Sequence, residues 1–200
     1  MGLEIQKGAD SQQSASQTFN KISPPWVVKP VDRGSSVGLY LAKNIDELAE
    51  AIEKSLEFSD KVLVEEYIKG REATCGVVEN LRGQELYPLF PTEILRPVGA
   101  DVWDYQDKYS SGHKIVCPGN FSDEQKKAIQ EMSLTAHRAL GLRHYSRTDF
   151  IISPRGIYFL ETNTLPGLTD ASLLPKALLA VGVNYSDFLD HLITLAMKAR

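Results

Sequence analysis

Two cysteines are all that the 200 residues carry, Cys75 and Cys117, far apart and outside any CxxC pair. That excludes a disulfide framework and a thiolate zinc site, and reads as reduced thiols in a cytosolic protein. Four histidines are scattered without zinc-type spacing. No apolar run approaches the length needed to span a bilayer, and the N-terminus shows no secretory signal, so no membrane partner is expected. Basic charge is not in surplus: 22 Lys and Arg stand against 26 Asp and Glu, a net charge of -4, which argues against a broad nucleic-acid footprint. Internal repeats are absent, and so is a nucleophile–His–acid triad with recognisable spacing.

What is present is ordinary globular chemistry, 42% hydrophobic and 24% charged, in a length that suits one domain or two small lobes. Residues 1–23 are polar and rich in Ser and Gln, and read as a leader with a short helix near Phe19 and Ile22, or with no fixed structure. Trp26–Pro30 reads as a strand with a lysine, Lys29, inside it. A loop with Gly34, Ser35, Ser36 and Gly38 at its tip follows, then a strand at Leu39–Leu41. Glycines there permit close approach of a ligand, and consecutive amides with two hydroxyls can cradle phosphate, although plain hairpin turns share this composition. Lysine among apolar neighbours is costly unless it meets an anion. Asn44 begins a helix whose stripe is Ile45, Leu48, Ala49, Ile52 and Leu56. Strands at Lys61–Ile68, Arg71–Val78 and Glu85–Leu89 form an antiparallel meander. Leu95–Asn120 lacks periodicity and is expected to be a flexible lid. Ser122 and Gln125 form a capping box before a helix with Ile129, Met132, Ser133, Ala136 and Leu140 as its buried stripe. Ser172–Val181 and a segment capped by Ser186 make two further helices. The fold class expected is α+β.

The stretch that organises the chain runs from Arg147 to Gly167. Two apolar runs flank Ser153-Pro154-Arg155-Gly156, a hairpin signal in which a three-residue loop would pair Ser153 with Ile157. Counting outward, Asp149 then faces Glu161 and Arg147 faces Asn163, all on one face, with Phe150, Ile152, Tyr158 and Leu160 on the other. Two carboxylates across a strand pair repel unless something offsets them, and a hard divalent cation such as Mg²⁺ does so. Asn163 adds a neutral oxygen, and Arg147 would face the anion that the metal holds. A solvated polar face with an Arg–Glu pair is the other reading of the same alternation.

Several separate stretches together resemble the ATP-grasp ligases, and within them the D-alanine–D-alanine ligases. They are Val27–Pro30 with Gly34–Gly38, Val62–Ile68 with Gly70-Arg71-Glu72, Asp104-Tyr105 with Lys108-Tyr109, and Arg147–Phe150 with Glu161–Thr169 and Ser172-Leu173. The resemblance implies a fold of two lobes, each a mainly antiparallel sheet with helices, with the nucleotide between them. It divides the chain into a leader at 1–23, a small lobe at 24–68 and a large lobe at 69–200. It also implies ATP and Mg²⁺, with Mn²⁺ as a substitute, and D-alanine as substrate. Lys29, Ser35, Ser36 and Lys108 match phosphate-contacting positions. Glu65, Glu66 and Ile68 match the strand that holds adenine, and Glu72 the acid that binds ribose. Tyr109 matches the lid tyrosine of dipeptide-forming members. Asp149, Glu161 and Asn163 match the metal ligands, and Arg147 the arginine that stabilises the acyl phosphate and tetrahedral intermediate. Gly167, Ser172 and Leu173 match the region for the second D-alanine. The family's leading domain, which helps bind the first D-alanine, finds no match, and residues 1–23 are expected to lie outside the resemblance. A separate N-terminal partner domain or a homodimer is the expected complement.

Overall fold

The computed structural model describes residues 2–95 and 114–198, which divide into two compact units, 2–68 and 69–95 with 114–198.

In the first unit four antiparallel strands stand in the order β1-β4-β2-β3: β1 (Gly2–Gln6), β2 (Trp26–Pro30), β3 (Tyr40–Ala42) and β4 (Lys61–Glu66). Alternation puts Trp26, Val28, Val62 and Val64 on the buried face, where they pack with Leu48 and Ile52 of helix α2 (Ile45–Leu56). Asn44 caps that helix through its side-chain oxygen, which accepts from the Glu47 amide at 2.9 Å. The opposite face carries Lys29 and Glu65, paired at 2.6 Å.

Residues 1–23 are not an unstructured leader. β1 pairs along its whole length with β4, and helix α1 (Ser11–Phe19) packs on α2. The buried side of α1 is Ser11, Ala15 and Thr18, spaced i, i+4, i+7. Small side chains let two helices approach closely while leaving almost no apolar signal, which is why composition alone reads as a tail. The Trp26 indole N–H donates to the Ile22 carbonyl at 2.8 Å and fastens this segment to the core.

The second unit is a six-stranded antiparallel sheet, β10-β9-β5-β7-β8 with β6 on the far end of β5. Its strands are β5 (Arg71–Glu79), β6 (Leu86–Pro88), β7 (Thr92–Leu95), β8 (Lys114–Val116), β9 (Tyr145–Ser153) and β10 (Gly156–Asn163). Helix α3 (Asp123–Ala139) opens with the capping box at Ser122 and Gln125, and its Ile129 packs with Ala73, Cys75, Phe150 and Ile152. Helices α4 (Leu173–Ala180) and α5 (Tyr185–Lys198) pack through Leu174, Leu178 and Phe188 on Val78 and Tyr145 of the sheet's other face. The last helix begins at Tyr185, one residue before the expected cap at Ser186. On α3 the buried ridge is Ile129, Ser133 and His137, and Leu140 at the C-terminal end is exposed. Part of the expected lid is regular structure too, because Lys114–Val116 pairs with β7.

His137 is buried, with Nδ1 at 2.8 Å from the Ser146 hydroxyl and Nε2 without a hydrogen-bond partner among the described residues, 3.9 Å from a Glu79 carboxylate oxygen. Burial holds its imidazole below the ordinary value of 6.5, outweighing the opposite pull of Glu79. A depressed folded-state pKa means that the folded chain binds fewer protons than the unfolded one. The stabilisation is therefore complete above 6.5 and is lost as pH falls below it towards the folded value. Urea midpoints at pH 7.5 and 5.5 should show a loss on acidification that His137→Gln reduces. Equal losses in the two proteins would remove His137 from this role.

Candidate functional site

The central hairpin reaches the expected pairing by an unexpected route. The turn has two residues, Pro154 and Arg155, so that Ser153 pairs with Gly156 rather than with Ile157. A one-residue change of register exchanges the faces of a strand. Ile157 and Phe159, not Tyr158 and Leu160, therefore share the face of Ile152 and Phe150, and the Phe159 ring meets Phe150 edge-on at 6.2 Å. A bulge between Phe159 and Glu161 then inserts Leu160 as the extra residue and reverses the shift. Beyond it, Glu161 stands opposite Asp149, and Asn163 opposite Arg147.

The Asp149 carboxylate is the hub. Oδ1 accepts from the Thr74 hydroxyl at 2.5 Å and from Arg147 Nε at 3.0 Å. Oδ2 accepts from Arg147 Nη2 and from Asn163 Nδ2, each at 3.0 Å. Arg147 thus forks onto Asp149, two residues along its own strand, and not onto Glu161. Glu161 is exposed. Commitment of the Asn163 amide nitrogen to Asp149 leaves its carbonyl oxygen as the donor to a cation. Two carboxylates and an amide oxygen from paired positions form a hard-oxygen set that fits Mg²⁺ or Mn²⁺. No cluster of three His, Cys, Asp or Glu exists among the described residues, so water and substrate oxygens would complete the coordination. Next to this row, Gly76 faces Arg147 across β5 and β9, and a Cβ there would lie 2.6 Å from Leu174 of α4. The glycine lets the helix close down on one end of the face while Glu161 stays exposed and Asp149 part-buried.

The remaining expected residues divide between the units. The first unit holds Lys29, Ser35, Ser36, Glu65, Glu66 and Ile68. Ser35 and Ser36 are consecutive left-handed residues, φ 52 and 60, a conformation that costs about 1–3 kcal/mol for each non-glycine residue. Gly38, φ 72, closes the loop where a Cβ would meet Phe58 at 2.8 Å and Pro30 at 2.9 Å. The Arg33 Nε–H donates to the Phe58 carbonyl at 2.7 Å and ties the loop to the end of α2. The second unit holds Glu72, Arg147, Asp149, Glu161, Asn163, Gly167, Ser172 and Leu173. Ser172 Oγ accepts from the Thr169 amide at 3.1 Å, and Leu173 is the first residue of α4. Asp104, Tyr105, Lys108 and Tyr109 lie outside the described residues.

Two arrangements escape a reading of the sequence. Thr74 meets Asp149 across the β5–β9 register, from a strand 75 residues away in sequence. Arg71 meets Glu93 in the same way, with Nε and Nη2 both at 2.7 Å from the one oxygen Oε1. Neither contact has a local periodic signature, so only the sheet order reveals them.

The family model described as D-ala D-ala ligase C-terminus matches residues 3–194. The chain belongs to this ligase family. The match begins at residue 3, so the N-terminal segment lies within the resemblance, contrary to expectation, in keeping with β1 and α1 as integral parts of the first unit. A D-alanine–D-alanine ligase from Syntrophobacter fumaroxidans is 41% identical over 180 residues, covering 90% of this chain and 57% of that protein. The chain therefore spans little more than half the length of such a relative. Among solved structures, D-alanyl-alanine synthetase A from Vibrio cholerae superposes with a TM-score of 0.83 at 35% identity, over 97% of this chain and 59% of that one. A Bacillus anthracis D-alanine–D-alanine ligase complexed with ATP gives a TM-score of 0.77 at 31% identity, over 100% and 61%. The α+β architecture, two antiparallel sheets with helices, is the ATP-grasp fold of these ligases. No helix among the described residues is long and apolar enough to cross a membrane.

Proposed function

We propose that the chain supplies the nucleotide- and metal-binding part of an ATP-dependent ligase that joins two D-alanines, a cytoplasmic step towards peptidoglycan. The observation that carries this reading is the alignment of Asp149, Glu161 and Asn163 on one face of the bulged hairpin, with the Arg147 guanidinium beside them. A carboxylate is a poor electrophile, and phosphorylation by ATP turns the first D-alanine into an acyl phosphate. The amine of the second D-alanine then attacks the carbonyl carbon and phosphate leaves. Mg²⁺, held by Asp149, Glu161 and Asn163, neutralises phosphate charge when bound. Arg147 opposes the charge that develops on the acyl phosphate and tetrahedral intermediate. Lys29, Ser35, Ser36 and Lys108 contact the phosphates in this reading. Glu65, Glu66 and Ile68 hold adenine, and Glu72 holds the ribose. Gly167, Ser172 and Leu173 receive the second D-alanine, and Tyr109 is the lid tyrosine of this reading. An N-terminal domain, whether on the same polypeptide or a separate one, completes the pocket of the first.

Glu161→Gln tests the metal assignment. Calorimetry with a non-hydrolysable ATP analogue and Mg²⁺ should show affinity lowered by at least about tenfold, the scale of losses when metal coordination is disturbed. Because Glu161 is exposed, stability should stay within about 0.5 kcal/mol. Unchanged Mg²⁺-dependent binding would sink the assignment. A panel of D-alanine, D-serine and D-lactate as second substrate then tests the substrate.

A further inference from the structure

We infer that Thr74 is the positioning residue of the Asp149 carboxylate, holding it in the rotamer that a divalent cation requires; this rests on the reading of Asp149 as a metal ligand. Thr74 stands directly opposite Asp149 in the β5–β9 ladder and is 2% exposed. Its hydroxyl has two acceptors within reach, the Thr148 carbonyl at 3.3 Å and Asp149 Oδ1 at 2.5 Å. One hydroxyl hydrogen serves one strong bond, and the short contact to a charged oxygen is that bond.

An ionised carboxylate offers about four lone-pair positions. Thr74, the two Arg147 nitrogens and Asn163 occupy all of them. A cation must take the place of one of these donors, and the four differ in how easily they move. Arg147 hangs on a long flexible stem, and a cation repels it. Asn163 is the last residue of β10. Thr74 is β-branched and therefore stiff at χ1, buried, and set in a strand paired on both sides. It is the partner that stays. By holding Oδ1 from within the sheet, it leaves Oδ2 on the side of Asn163, the oxygen left for the cation once the flexible Arg147 gives way. Partners of this kind orient metal ligands and set affinity. A role limited to satisfying a buried hydroxyl would change stability and leave metal affinity alone.

The test uses the full chain and Mn²⁺ alone, with free Mn²⁺ read by electron paramagnetic resonance and folding read by urea unfolding. Thr74→Val, close in shape but without the hydroxyl, should weaken Mn²⁺ binding about tenfold, at the lower end of the range for such partners. Thr74→Ser should restore it, because the hydroxyl and not the methyl is what matters. Thr74→Cys, a weak donor of similar size, should fall between them and serves if the valine variant does not fold. Wild-type affinity in the valine and cysteine variants, with binding lost in Asp149→Asn, would overturn the proposal while the metal site stands. A serine variant as weak as the valine variant would also overturn it. Undiminished Mn²⁺ binding by Asp149→Asn would overturn the metal reading itself, and the proposal with it.

Discussion

Arg71→Ala should lower the unfolding free energy by about 3 kcal/mol, at the lower end of the range for breaking a buried ion pair by removing one partner. Glu93 is 3% exposed and accepts both Arg71 nitrogens at 2.7 Å on Oε1 and the Asn120 amide at 3.1 Å on Oε2. The guanidinium also donates to the Asn120 carbonyl at 2.6 Å and lies over the Phe121 ring, 4.6 Å from its centroid. One arginine thus joins the start of β5, the middle of β7 and the entry to α3. The charge left behind by its removal is what costs, because Glu93 then sits buried with the Asn120 amide as its remaining partner among the described residues. Arg71 itself is half-exposed, which lets water reach the site and keeps the loss near the bottom of the range. Replacing both partners by apolar residues, Arg71→Met with Glu93→Leu, should cost less than Arg71→Ala alone, since no buried charge remains. Urea unfolding of the three proteins decides it. A loss below about 1 kcal/mol in Arg71→Ala would mark the pair as an ordinary surface contact.

Legibility of the sequence depended on how local each signal was. The stripe of α2, the Asn44 cap and the Ser122–Gln125 box lie within one or two helical turns, and all form as read. The hairpin was legible because its strands are joined by a short turn, and counting outward placed Asp149 opposite Glu161. Asp149 and Glu161 stay opposite although the turn is one residue shorter than expected, because the bulge at Leu160 adds the residue back. Proline at the first turn position cannot take the positive φ that two-residue hairpin turns favour and so points to a three-residue loop, and a bulge has no strong composition of its own. The aromatic side of the hairpin differs from the expectation, with Phe159 rather than Leu160 against Phe150. β1 is illegible, and α1 legible only as one of two readings, a short helix near Phe19 beside no fixed structure, for another reason. Five residues of strand and a helix packed through Ser, Ala and Thr carry too little apolar contrast to stand out from a tail. Thr74 and Glu93 act through partners supplied by other strands, so their roles appear only once the sheet order is known.

The 200-residue chain by itself should bind Mg²⁺ with an ATP analogue and yet join D-alanines at far below the usual enzymatic rate. The proposed nucleotide and metal contacts run from Lys29 to Asn163, all within the chain, so binding has most of what it requires. Ligation asks for more. The carboxylate of one D-alanine, the γ-phosphate and the amine of the other must be held together, and alignment of that kind is worth roughly 7–11 kcal/mol of barrier. The match covers 57% of the Syntrophobacter relative, and in the family reading the first D-alanine is held partly by the portion outside the match. Loss of one group of contacts to that substrate removes part of the alignment energy, and each 1.36 kcal/mol lost is about tenfold in rate. A deficit of a third of the alignment energy therefore corresponds to roughly 50- to 500-fold. The measurements are calorimetry for the nucleotide and phosphate release for turnover, with and without D-alanine. Nucleotide binding with phosphate release that D-alanine barely stimulates is the expected result. Turnover in the usual range of about 1–10³ per second would show that residues 1–200 hold the whole substrate site. Failure to bind the nucleotide at all would instead remove the roles proposed for Lys29, Ser35, Ser36 and Glu72.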